Sequence, residues 1–189
     1  MTKIKPSVVK RNCKFKGKWL NFEEVEYIDS NNKLRSWENV ARTTKGGAVA
    51  MIAKVDANLI LVRQFRPPIG NFIIEFPAGL VDGNEKFEVS ALRELKEETG
   101  YVGKVTALSC PVYSSPGMTN ETTALVFIEI DMKLNENQNP KPKLEQTEDI
   151  EVLRVDIKNL KNFLEERSKS GDFIDAKVMS FAAGLNFNI

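Results

Sequence analysis

One short acidic stretch constrains this chain more than any other part of it. Residues 79–101 read Gly-Leu-Val-Asp-Gly-Asn-Glu-Lys-Phe-Glu-Val-Ser-Ala-Leu-Arg-Glu-Leu-Lys-Glu-Glu-Thr-Gly-Tyr. Across residues 85–99 the apolar side chains of Phe87, Ala91, Leu92 and Leu95 recur at helical spacing, so one stripe of a helix must face a core. Gly100 follows the last periodic residue and suits the left-handed conformation that ends a helix. Glu94 and Glu98 are four residues apart, and Glu94 and Glu97 three, which puts three carboxylates on one side of that helix. Like charges at this spacing repel, which is unfavourable in a plain helix. Divalent cations relieve the repulsion, and hard oxygen ligands without sulfur or imidazole fit Mg²⁺ or Mn²⁺. The chain has no histidine, which argues against zinc chemistry and histidine base catalysis. Arg93 lies four residues before Glu97 and can hold that carboxylate in place. Glu85 and Glu88, taken alone, read as an ordinary solvated acidic helix end.

Bulk properties exclude several classes. At 189 residues, one domain with a modest extension is expected. Lysine and arginine total 27 against 26 acids, so no net field draws the chain to nucleic acid or to a membrane surface. Cys13 and Cys110 give no disulfide framework, and a reduced cytoplasm is the expected compartment. The basic start, residues 1–18, has no apolar run of signal-peptide length. No stretch reaches the roughly 18 apolar residues of a membrane span.

Residues 1–16 are expected to be an N-terminal tail. Residues 17–45 read as a β-hairpin subdomain: 19–27 alternate in strand fashion, 29–33 turn, and 34–42 return. Thr43-Thr-Lys-Gly-Gly breaks the pattern and opens the main domain, residues 46–189. There the apolar runs 48–55 and 59–65 form a second hairpin, Pro67-Pro68 stops it, and 72–76 is a further short strand. Strands are expected near 105–113, 124–130 and 150–155, and helices at 160–167 and 176–185. Residues 135–146 read as a flexible polar loop. Strands interleaved with few helices point to an α/β fold, a mixed sheet sandwiched between helices.

Gly79, Glu85 and Arg93-Glu94-Leu95-x-Glu97-Glu98-x-Gly100-Tyr101 resemble the Nudix box, the signature of hydrolases that cut diphosphates linked to another moiety. The stretches Arg63-Gln-Phe-Arg66-Pro-Pro and Ile74-Glu75-Phe76-Pro77-Ala78-Gly79-Leu80 look like those of the ADP-ribose (ADP-sugar) pyrophosphatases in that family. So do Pro116, sixteen residues after Gly100, and the segments Gly17-Lys-Trp19 and Ser36-Trp37-Glu38-Asn-Val-Ala-Arg42. The resemblance implies the Nudix fold and Mg²⁺-dependent hydrolysis of ADP-ribose to AMP and ribose 5-phosphate. It implies metal ligation by Glu94, Glu98, the Ala78 carbonyl and Glu148, with Glu145, Asp149 and Glu151 as competitors for the last place. Glu148 or Glu97 would activate water beside Arg93. Trp19 and Trp37, from different subunits of a homodimer, would stack on the adenine, and Glu38, Arg42, Arg66 and Leu80 fall on substrate-contacting positions.

The residues themselves leave alternatives open. A tryptophan in a strand is more often packed than stacked on a ligand, and Arg42 could be a plain surface ion pair. Arg66 precedes two prolines that fix an extended backbone, consistent with a rigidly aimed side chain. Two departures from the animal enzymes bear on the choice of sugar: Gly46 stands where an acid is expected, and Ser114-Ser115 where those enzymes have Met-Asp. The alternatives in function are a Nudix hydrolase acting on another nucleoside diphosphate derivative, such as an oxidised nucleotide, and a non-catalytic ADP-ribose sensor.

Overall fold

The computed structural model describes residues 3–44, 46–146 and 148–185, so the outermost residues of the expected tail and main domain lie outside it. Strands β1 (Ser7–Lys16), β2 (Leu20–Ile28) and β3 (Leu34–Arg42) form an antiparallel sheet in that order. The β2–β3 hairpin is the expected one. Asp29 closes its turn by accepting the N–H groups of Asn31 and Lys33 at 2.8 and 2.9 Å, and Asn32 takes a positive φ of 60°.

The tail is a correction: from Ser7 onward it is a strand. Its residues are almost all exposed, so no buried stripe announces it in the sequence. What holds it is a ladder running from Ser7 opposite Ile28 to Lys16 opposite Asn21, together with charge matching. The basic strand SVVKRNCKFK lies on the acidic strand LNFEEVEYI. Lys14 meets Glu24 at 2.6 Å, Arg11 meets Glu23 at 3.5 Å, and Asn12 donates to Glu26 at 2.7 Å.

The second sheet is mixed. After β4 (Ala48–Val55), β5 (Asn58–Arg66), β6 (Asn71–Glu75) and β7 (Ala78–Leu80) comes helix α1 (Phe87–Thr99). Strands β8 (Lys104–Leu108), β9 (Val112–Tyr113) and β10 (Thr122–Ile130) follow, then the single turn α2 (Asn135–Gln138). The chain ends with β11 (Ile150–Asp156), α3 (Leu160–Lys169), β12 (Phe173–Ile174) and α4 (Ala176–Leu185). The main path is β12-β6-β5-β4-β10-β8, with β11 on β5, β7 on β4 and β9 on β10. β10 runs parallel to β4, and β12 parallel to β6.

β4 shows why the sheet needs helices on both faces. Its residues alternate between two cores: Val49, Met51, Ala53 and Val55 pack with Ala91 and Leu95 of α1. Ala50 and Ile52 pack with Leu160 and Leu164 of α3 and Val178 and Ala182 of α4. A strand covered on both faces reads as one apolar run. The loop expected at 135–146 contains the α2 turn, pinned by the buried Asn137, which accepts the Val102 N–H at 2.8 Å and donates to the Val102 and Asp131 carbonyls at 2.9 and 2.8 Å. No helix among the described residues is long and apolar enough to cross a membrane.

Candidate active site

The site is built where α1 crosses β7. β7 pairs with β4 through Ala48–Leu80, Val49–Gly79 and Ala50–Ala78, which lays the backbone of residues 78–80 under the acidic face of α1. Gly79 is a glycine because Glu94 occupies the space of a side chain: a Cβ there would stand 2.0 Å from the Glu94 carboxyl carbon. Glu98, one turn on, is only 3% exposed and accepts the Ala78 N–H at 3.0 Å. Burial pushes its carboxyl up to about 8. The Ala78 N–H opposes that shift, while the charges of Glu94, Glu148 and Glu75 add to it. Glu94 is likewise raised, chiefly by burial, with Arg93 opposing and Glu97 and Glu148 adding.

Arg93 ties this face together. It donates from Nη1 to Glu94 at 2.8 Å and to Glu97 at 3.1 Å, and from Nη2 to Glu85 and the Leu80 carbonyl, both at 3.3 Å. Glu85 also accepts the Ser90 hydroxyl at 2.6 Å, and these bonds hold its carboxyl below the usual range. The reading of Glu85 as a solvated helix end is therefore corrected; it is a brace for Arg93. Leu80 enters the site through its carbonyl.

Glu148 arrives from the far side. It lies two residues before β11, accepts the Glu145 N–H at 2.8 Å, and faces Glu94 and Glu98 closely enough to raise both. Residues 140–143 lie across the end of α1: the Lys143 N–H bonds the Glu97 carbonyl at 2.7 Å. A Cβ on Gly100, at φ 76°, would fall 2.3 Å from the Lys141 nitrogen.

Sequence reasoning missed Glu75 as a site residue. It is buried on β6, its carboxyl is raised by burial, and Arg66 opposes that shift by donating from Nε at 2.8 Å. The signal was one acid inside the apolar run Phe72-Ile-Ile-Glu-Phe76.

The donor set fits a hard divalent cation. Glu98 is a buried carboxylate raised in part by the partly buried Glu94, the notch at Gly79 seats Glu94, and every candidate ligand is an oxygen. The carboxylates do not converge on a point. Arg93 takes Glu94 and Glu97, Ala78 takes Glu98, and the described residues contain no group of three acidic, cysteine or histidine side chains arranged to hold a metal.

The N-terminal sheet carries the remaining candidates. Trp19 and Trp37 are 63% and 53% exposed, so the packed reading fails for both. Trp37 donates its indole N–H to the Gly117 carbonyl at 2.8 Å and lines a cavity of about 440 Å³ with Tyr27, Tyr113 and Pro116. Trp19 has Lys18 over its ring at 4.7 Å. Its carbonyl accepts the Thr43 N–H, six residues along the chain from Trp37. At about 3.3 Å per residue this separates the two tryptophans by roughly 20 Å. Glu38 stands exposed on β3 opposite Glu24, away from α1. Arg42 is more than a surface pair: it is half-buried and donates from Nε to Glu121. Nothing local signals Glu121, which lies 79 positions away. Gly46 has a steric reason, since a Cβ there would meet the Val81 carbonyl oxygen at 2.2 Å. Ser115 closes a turn by accepting the N–H groups of Met118 and Thr119, both at 2.9 Å.

Known proteins resemble this chain in sequence and in fold. The chain is 38% identical to the ADP-ribose pyrophosphatase of Saccharomyces cerevisiae, with 89% of this chain and 77% of that one covered. It is 40% identical to the ADP-sugar pyrophosphatase of Mus musculus, over 89% and 82%. An uncharacterized Nudix hydrolase of Schizosaccharomyces pombe is 41% identical over 89% and 86%. The crystal structure of an ADP compounds hydrolase superposes with a TM-score of 0.71 at 22% identity, covering 98% of this chain and 95% of that one, a likeness of fold. The Nudix domain matches residues 44–176, which span β4 to the start of α4 and carry every carboxylate around α1; this chain belongs to the Nudix hydrolase family.

Proposed function

We propose that the chain hydrolyses the diphosphate of ADP-ribose, or a related ADP-sugar, to AMP and ribose 5-phosphate. The observation that carries the reading is the buried Glu98 carboxylate, raised together with Glu94 on a helix face that Glu148 also confronts. The names of the yeast and mouse relatives favour the substrate class.

Nudix hydrolases generally use divalent metal ions. Here Glu94, Glu98, the Ala78 carbonyl and Glu148 would hold the cation, Mg²⁺ first and Mn²⁺ as the alternative. When bound, it would supply Lewis-acid neutralisation of the charge that develops on the diphosphate as the bond breaks. The side chains do the rest. Water adds its oxygen to one phosphorus, the bond from that phosphorus to the bridging oxygen breaks, and the departing phosphate leaves as an anion. Glu148, whose carboxylate among the described residues accepts only the Glu145 N–H, takes the proton of the attacking water; Glu97 is the alternative base, although Arg93 already holds it. Arg93 acts by fixing Glu94 and Glu97. Among the described residues, Arg66 and Arg42 both keep their guanidinium forks for diphosphate, since Glu75 and Glu121 occupy the Nε–H.

Trp19 and Trp37 cannot close on one purine within a single chain at roughly 20 Å. A homodimer that brings Trp19 of one copy beside Trp37 of the other supplies the sandwich, with Glu38 and Leu80 contributing polar contacts. The chain acts on a small molecule, without nucleic acid or membrane, in the cytoplasm, where the exposed thiols of Cys13 and Cys110 stay reduced. Turnover of ADP-ribose with Mg²⁺, with and without chelator, tests this beside ADP-glucose, NADH and 8-oxo-dGDP. Metal-dependent release of AMP is expected to be fastest from ADP-ribose. Activity confined to another member of the panel overturns the substrate, and binding without turnover overturns the reaction.

A further inference from the structure

We infer that Glu121 is a positioning residue for Arg42: it locks the guanidinium so that both terminal amino groups point at the substrate's diphosphate. The inference rests on the role of Arg42 proposed above. Arg42 ends β3 opposite Leu20 of β2, whose apolar side chain offers the guanidinium no hydrogen-bond acceptor. Its Nε–H goes to Glu121, and among the described residues its terminal amino groups have no partner. Both side chains are half-buried, at 35% and 27% exposure, so the bond is shielded from solvent better than a surface pair.

Glu121 is itself held. Its N–H bonds the Thr119 hydroxyl at 3.1 Å, and the next residue begins β10, which runs beside β4 through the middle of the sheet. The chain leaving Arg42 passes tightly against that point: a Cβ on Gly47 would stand 2.9 Å from the Thr122 hydroxyl oxygen. Two more contacts clamp residues 114–121 along β3, the Trp37 N–H to Gly117 and the Val40 N–H to the Met118 carbonyl at 2.9 Å. Glu121 is thus fixed by the catalytic sheet, while Arg42 belongs to the N-terminal sheet. A polar cavity of about 380 Å³ opens beside the pair, lined also by Asn21, Glu23, Thr44 and Asn120. Among the described residues, the buried Oδ1 of Asn21 has no hydrogen-bond partner.

Two effects of Glu121 oppose each other. Its negative charge repels a diphosphate, while its bond to Nε removes rotamer freedom that Arg42 would otherwise lose on binding. Orientation dominates here, because the carboxylate spends its charge on the Nε–H and leaves the fork open. The same device recurs at Arg66, where Glu75 takes the Nε–H.

Three variants, E121A, E121Q and R42A, and the E121A/R42A double variant separate these effects. KM and kcat are taken on whichever substrate of the panel above turns over fastest, so that a wrong choice of ADP-ribose is seen in the panel and not mistaken for a failure at Glu121. E121A is expected to raise KM about three- to tenfold with kcat within about twofold, because the carboxylates of α1 are untouched. E121Q keeps an acceptor for the Nε–H without the charge, and its KM stays near that of the parent chain. In the R42A background, E121A adds nothing further. A KM for E121A at or below the parent value overturns the inference, as does a lowered KM for E121Q or full additivity with R42A.

Discussion

Glu98 is the residue at which chemistry and stability oppose each other. Its carboxyl titrates near 8 in the fold, against an ordinary value of 4.5, so between those limits the folded chain binds a proton that the unfolded chain has lost. Stability is therefore full below about pH 4.5 and falls as pH rises toward 8, by on the order of 4 kcal/mol. In the presence of chelator, the urea midpoint should drop between pH 5.5 and 8.5, and Glu98→Gln should flatten that drop. Parallel curves for the two proteins would show that the destabilisation does not reside in this carboxyl. The same substitution removes a charged ligand and should lower kcat on the order of 10²–10³-fold, with the circular dichroism spectrum unchanged. A variant with near-full turnover would remove Glu98 from the site. At this scale the sequence was legible for Arg93, Glu94, Glu97 and Glu98, whose spacing along one helix fixes their neighbours. Glu75, Glu85 and Glu121 were not legible as partners, because what makes each of them matter is an arginine brought to it by the fold.

Elements divide in the same way. Helix α1 could be read because a half-buried helix must repeat its apolar residues every three to four positions, and because Gly100 marks its end. The Gly100 position is also the sharpest structural dependence of the helix. Gly100→Ala must place a Cβ at φ 76° and 2.3 Å from the Lys141 nitrogen. It should cost about 2–4 kcal/mol and lower Tm by roughly 4–16 °C in a chain of this size. An unchanged Tm by scanning calorimetry would mean that residues 140–143 yield freely. Strand β1 could not be read, since a strand exposed on both faces has no period, and its match to β2 is one of charge across a register. β7 escaped for another reason: three residues including a glycine carry no pattern, and only their place under Glu94 gives them meaning.

At the scale of the molecule, the sandwich was legible from apolar runs that need covering on both faces, whereas the use of the N-terminal sheet was legible only through the family resemblance, not from its residues. Trp19 and Trp37 are exposed on it and far apart, which fits a site shared between two copies. On the proposed homodimer, Trp19→Ala and Trp37→Ala should each bind substrate weakly. Mixed after dissociation and reassociation, about half the dimers are mixed, and each of these has one site with both tryptophans and one with neither. Activity at low substrate should recover to roughly a quarter of the parent value. A mixture no better than the average of its components would place both tryptophans in the same subunit's site or outside it. The parallel pairing of β4 with β10 has a kinetic consequence. Residues 48–55 must wait for residues 123–130 to be made and brought alongside, a slow closure of a long loop, and α1 lies within that loop. Until the loop closes, the core face against which Ala91 and Leu95 pack is missing a wall, and Glu98 stays in water as an ordinary carboxylate. A nascent or partly unfolded chain therefore lacks the buried acid altogether, so hydrolytic competence arrives only with the completed sheet.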